Sequence, residues 1–172
     1  MGNVKIGNIE VGLGDLLLFI GGLLMIISIF FAWDKYLPAL GNDTTVTGMN
    51  IISGKFVGNG EWTYAFMGKA PLFMLIFGII ALILAALPLF KVDVPALKIV
   101  GGVVALVGLV FAILFLTVGN KADLFSGDSY NAAKALLLVG SFKIQFGAYF
   151  ALIASIVATV GGVINVIPMF KK

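Results

Sequence analysis

Four long, almost uncharged apolar runs dominate this chain: LLLFIGGLLMIISIFFAW (16–33), PLFMLIFGIIALILAALPLF (71–90), LKIVGGVVALVGLVFAILFLTVG (97–119) and IQFGAYFALIASIVATVGGVINVI (144–167). A helix needs about 20 apolar residues to cross a hydrocarbon core of ~30 Å. The expected fold is therefore an all-α membrane protein, one domain over residues 1–172. It is a four-transmembrane-helix bundle with spans near 15–33, 71–90, 97–119 and 144–167. The first run is too long for a cleaved leader, has only Lys5 ahead of it, and shows no A-x-A-like site before Trp33, so it is expected to be retained as a helix.

Composition narrows the function classes. Hydrophobic residues make up 61% and charged residues 11%, against about 25% charged in a soluble domain. All 11 basic residues are Lys, and His and Cys are absent, which removes disulfides, thiolate chemistry and imidazole ligation. No cofactor and no metal are expected. The net charge of +3 is carried by scattered lysines rather than a basic patch, so nucleic acid is not an expected partner. The expected partners are the lipid bilayer and other membrane proteins or further copies of this chain.

An even number of spans puts both termini on one side. That face (1–14, 91–96, 168–172) carries Lys5, Lys91, Lys171 and Lys172 in short segments, with Lys98 just inside the third span. The loops 34–70 and 120–143 spread six lysines over more residues. Positive charge in short loops favours the cytoplasm. The termini are thus expected inside the cytoplasmic (plasma) membrane and both long loops outside, where Asn42-Asp43-Thr44 is a candidate glycosylation acceptor at Asn42. Trp33 and Tyr36 are expected in an interfacial aromatic belt, with Asp34-Lys35 entering water.

A small extracellular β-sheet formed mainly by the first outer loop is expected. In GKFVGNGEWTY, Gly58-Asn59-Gly60 joins two short runs in a hairpin that sets Phe56 opposite Trp62, and TTVTGMNIIS reads as one or two further strands interrupted by Gly48. Pro71 is expected at the first position of the second span. The second loop is expected to hold a short helix over 130–139, capped by Asp128 or Ser129. Near the N-terminus, Gly7-Asn8 predicts a miniature hairpin with Lys5 opposite Glu10.

Catalytic chemistry is hard to assemble from these residues. There is no His and no G-x-S-x-G, and the outer carboxylates Asp34, Asp43, Glu61, Asp123 and Asp128 lack calcium-loop spacing, so the chain is not expected to be an enzyme. Asp15 reads as an N-cap or interface residue, Lys143 and Gln145 as flanks of the fourth span, and Asn165 as a helix–helix or backbone hydrogen-bonding group. The positive signal is packing. Gly147, Ala151, Ala154, Ser155, Ala158, Gly161 and Gly162 form a small-residue stripe along the fourth span, and Gly101, Ala105 and Gly108 repeat it in the third. The candidate outer interaction surface is Trp33, Tyr36, Phe56, Trp62 and Tyr64. The function expected is that of a non-enzymatic interaction or scaffold protein. The alternatives are an oligomeric channel or small-solute permease, or an accessory subunit of a larger membrane complex.

The order of spans, the long strand-forming first loop and the Gly-rich last span, with Ala32-Trp33 at the membrane exit and Thr47-Gly48 in a turn, resemble the claudin-like tetraspan architecture. They are also similar to small uncharacterised prokaryotic four-span proteins. The resemblance implies a four-helix bundle with an outer sheet. It implies no functional residue, because the loop cysteines of claudins have no counterpart here.

Overall fold

A computed structural model of the chain describes residues 3–6, 9–38, 42–53, 63–64, 66–92, 94–118, 125–126 and 140–170. Strands β1 (Asn3–Ile6) and β2 (Ile9–Gly12) precede helix α1 (Leu13–Ser28), and strands β3 (Ala32–Leu37) and β4 (Thr44–Thr47) lead into the short helix α2 (Gly48–Ile52). After β5 (Thr63–Tyr64) come helices α3 (Ala70–Ala86) and α4 (Pro95–Val118). Strands β6 (Phe125–Ser126) and β7 (Ser141–Ile144) then precede helix α5 (Phe146–Val166).

With their flanking turns, three helices among the described residues are long and apolar enough to cross a membrane: Ala70–Phe90, Pro95–Thr117 and Phe146–Phe170. Helix α1 is apolar but shorter, with 16 residues, about 24 Å at 1.5 Å per residue. Each of α1 and α4 packs on both α3 and α5, so the four long helices form a ring with α1 diagonal to α4. The ring turns small residues inward and large aliphatics outward. Ala81, Ala105, Ala151, Ala154 and Ala158 are buried, while Ile79, Ile83, Val103, Leu106, Ile153 and Ile156 are exposed. That inversion fits a membrane protein, because lipid tails solvate Ile and Leu while close backbone approach needs Ala and Gly.

Local chemistry sets the element ends. Helix α3 opens at Ala70, one residue before the expected Pro71, whose missing N–H is harmless in a first turn. At its far end a 3-10 turn over Leu87–Phe90 stops at Lys91, which adopts the left-handed conformation with φ 60°. At the other end of the ring, Thr47 caps α2 by accepting the Asn50 N–H at 3.2 Å. The β1–β2 ladder pairs Lys5 with Glu10, as the two-residue spacing predicts.

Two expectations are corrected here. The first helix ends at Ser28 rather than near Trp33. The carbonyls of Ile29 and Phe31, which would continue the helix, accept instead from the N–H groups of Met49 (2.8 Å) and Gly48 (3.2 Å). The stretch Ala32–Leu37 thereby becomes the central strand of a three-stranded antiparallel sheet ordered β4-β3-β7. Two of its three strands come from the first loop and its approach, as expected, and the third is Ser141–Ile144, directly before α5. Finally, TTVTGMNIIS is a strand followed by a helix, since Gly48 starts α2 instead of interrupting a strand. The Phe56–Trp62 hairpin and the helix over 130–139 lie outside the described residues.

Candidate functional site

The chemistry-bearing groups gather where the sheet meets the helix ends. Strand β3 pairs with β4 as Ala32↔Thr47 and Asp34↔Val46, so Trp33 is an extra residue in a β-bulge. The bulge breaks the two-residue alternation. Trp33 and Asp34, consecutive in sequence, are both buried, and Tyr36 joins them while Lys35 lies at the surface side.

Trp33 fills the gap above the shorter helix α1. Its side chain is fully buried, its indole Nε1–H donates to the Ser28 carbonyl at 2.8 Å, and its ring meets Phe115 of α4 edge-on at 5.0 Å. Two glycines make room for it. A Cβ on Gly147 of α5 would stand 2.7 Å from the indole Cδ1, and one on Gly48 would stand 2.9 Å from Nε1. Beside it, Tyr36 stacks on Phe142 of β7 with ring centroids 5.1 Å apart.

Asp34 is 1% exposed. Its carboxylate accepts the Lys35 N–H at 2.8 Å and also bonds the backbone of Lys143 on β7. Burial pushes its pKa up from 3.8 to about 7, because removal from water penalises the charged form more than the two backbone hydrogen bonds favour it. The neighbouring ion pair, Lys35 Nζ to Asp43 Oδ2 at 2.7 Å, is partly exposed and belongs to the class worth about 0–1 kcal/mol.

At the opposite end of the ring, Asn165 of α5 donates from Nδ2 to Asp15 Oδ1 of α1 at 2.7 Å. Asp15 is not the helix cap, since Gly12 holds that position; it is a buried third residue that ties two helices together. A double-mutant cycle with Asp15→Ala and Asn165→Ala, read by reversible unfolding in mixed micelles, is expected to give a coupling of about 0.6–1.7 kcal/mol, the range for such bonds between membrane helices. Additive costs would show that the pair contributes nothing.

The expected small-residue stripe lies in the interior: Gly147, Ala151, Ala154, Ser155, Ala158, Gly161 and Gly162 are all buried. A Cβ on Gly161 would run into the backbone of Gly14, Leu17 and Leu18 on α1, and one on Gly162 into Gly102 of α4. The Ser155 hydroxyl is satisfied within its own helix by the Ala151 and Leu152 carbonyls, both at 2.9 Å. Of the five residues expected as an interaction surface, Trp33 and Tyr36 are buried. Phe56 and Trp62 lie outside the described residues, and Tyr64 is placed by its backbone on β5, paired with Phe125. Asn42 is exposed. Gln145 stands at the N-cap of α5 and donates to the Lys143 carbonyl at 3.1 Å, and Lys143 is an exposed residue of β7, the strand directly before that helix.

Asp34 is the residue that sequence reasoning placed wrongly. Strict alternation from Trp33 sends it to water, and the bulge that reverses this depends on pairing with β4. Among the described residues no three His, Cys, Asp or Glu side chains gather to hold a metal. An apolar groove of about 330 Å³ between α4 and α5, lined by Val103, Leu106, Val163 and Phe170 among others, faces outward from the ring. No protein-family model, curated protein or solved structure matches this chain.

Proposed function

We propose that the chain is a four-span, multi-pass protein of the cytoplasmic membrane that works as a non-enzymatic interaction or scaffold protein, engaging partners through the segments at the sheet end of the bundle. The observation that carries this reading is where the small residues lie. The faces that membrane helices use for close association are occupied inside the ring, where Gly161 of α5 meets α1 and Gly162 of α5 meets α4. The surface left for specific protein contact is therefore the sheet and its connected segments, with Thr44, Thr45, Ser141 and Lys143 exposed on its two outer strands. Outer strands carry backbone groups that an added strand can pair with.

Support for α1 as the fourth span comes from its outward residues, Leu13, Ile20 and Leu23, which are exposed and aliphatic, and from its seat between two long apolar helices. A span a few Å short is accommodated by local thinning of the bilayer at a modest cost. The distribution of lysines supports cytoplasmic termini and an external sheet.

Orientation is testable because the chain has no Cys. A cysteine at exposed Asn42 should react with a membrane-impermeant maleimide from outside intact cells, and one at exposed Lys91 only after permeabilisation. The reverse pattern would invert the topology. For the interaction role, photo-crosslinkers at Thr45 and Lys143 in native membranes should yield discrete adducts that co-purify. A strictly monomeric protein with no adduct from either position would overturn it.

A further inference from the structure

A carboxyl group fully inside a protein, bonded to backbone on two strands, needs a reason. Asp34 sits at the bulge of the central strand, where its carboxylate links the Lys35 N–H of its own strand to the backbone of Lys143 on β7. The same junction is closed by Gln145, whose N–H donates to the Trp33 carbonyl at 3.0 Å at the start of α5. One side chain thus stands at the seam between strand β3, strand β7 and the helix ring.

On β3, Lys35 is directed to the surface and engaged by Asp43, while Tyr36 shares the buried face. On β7, Lys143 is the cross-strand partner of Lys35 and is exposed, flanked by buried Phe142 and Ile144. On β4 the partner is Val46, with Thr45 and Thr47 beside it. From the helix ends, the neighbours of the adjacent Trp33 are Ser28 of α1, Gly48 of α2, Phe115 of α4 and Gly147 of α5, none of them ionisable. Among the described residues, no cation shares the buried face with Asp34.

We infer that Asp34 is a proton-operated latch: with its carboxyl neutral the β4–β3–β7 sheet seats on the helix ends, and ionisation draws water to the Trp33 seam and loosens that seat. The inference concerns the sheet and the ring alone and stands whether or not a partner binds. Its direction follows from the raised pKa. An acid that goes from 3.8 when solvated to about 7 when buried binds its proton more tightly in the seated form. Seating is therefore strongest at low pH, weakens as pH rises between these two values, and levels off above the higher one.

The test uses the full chain in lipid nanodiscs, with amide hydrogen exchange over residues 32–36 and 141–146 corrected for the intrinsic rate at each pH. Protection should fall by up to about tenfold per pH unit between about pH 5 and about pH 7 and then level, the limit for one titrating group. Asp34→Asn, a neutral near-isostere, should show flat protection over the same range. A flat wild-type profile, or an unchanged slope in Asp34→Asn, would overturn the latch. Should that variant fail to fold, infrared spectroscopy of an Asp15→Asn protein, which lacks the other carboxyl buried among the described residues, decides the matter. A protonated carboxyl signal that disappears near neutral pH supports the inference, and complete ionisation already at about pH 5 sinks it.

Discussion

Trp33→Ala is expected to lower the unfolding free energy by about 3–5 kcal/mol, the range for removing a large buried aromatic. The indole is fully buried, and its neighbours are parts of a seam that cannot easily close. Ser28 and Gly48 hold it from the end of α1 and the start of α2, Phe115 from α4, and Gly147 from α5. Collapse into the cavity would require β3 to sink towards helix ends that are already tied to it by backbone bonds. Trp33→Phe keeps most of the packing and loses the Nε1 bond to Ser28, so its cost should be about 1 kcal/mol plus a smaller packing term. Reversible unfolding in mixed micelles measures both. Equal, small costs for the two variants would show that the indole is not the keystone of the junction.

The second large effect concerns two glycines that look equivalent in sequence. Gly161→Ala is expected to destabilise by about 1–3 kcal/mol, because the new methyl would stand 2.6 Å from the Gly14 carbonyl oxygen and 2.9 Å from the Leu17 carbonyl carbon. These are backbone atoms, so relief requires α1 and α5 to separate along their shared face. Gly102→Ala should instead be neutral or stabilising by up to about 1 kcal/mol. Its methyl meets Gly162 at 3.5 Å, ordinary contact, and Ala has the better helix propensity. Gly161→Val should be worse than Gly161→Ala, and Gly102→Val should remain milder than either. The same unfolding assay decides. If both alanine variants shift stability in the same direction, the close approach of α1 to α5 is wrong.

The long helices were easy to read. Expected spans at 71–90 and 97–119 correspond to α3 with its 3-10 turn and to α4, with ends displaced by only one or two residues. The run expected from 144 to 167 begins as a helix at Phe146. The reason is that a lipid-facing helix is apolar on nearly all sides, so the length of the run carries the information and no periodicity has to be resolved. The stripe from Gly147 to Gly162 was legible for a related reason, since Gly and Ala at helical spacing are what backbone contact requires.

The junction was not legible. Phe30 to Trp33 are as apolar as the helix before them, and what stops α1 at Ser28 is a pair of N–H groups on Gly48 and Met49 that come from another part of the fold. Strand β7 was hidden at the margin between a polar loop and an apolar run. Ser141 to Ile144 alternate properly, but four residues are too few to name a strand without its partner.

Residue chemistry and run length were enough to settle that this chain folds as apolar helices, which of their faces are small enough to touch, and that a short polar sheet interrupts them. Both properties are local, since each residue carries its own transfer free energy and its own volume. The fate of Asp34 is not local. Its burial depends on one extra residue in the β3–β4 register and on β7, which arrives more than a hundred positions later, and a one-residue change in register turns a strand's side chains to its other face. Long-range pairing therefore converted an acid that belonged in water into a buried group at the seam between sheet and helices.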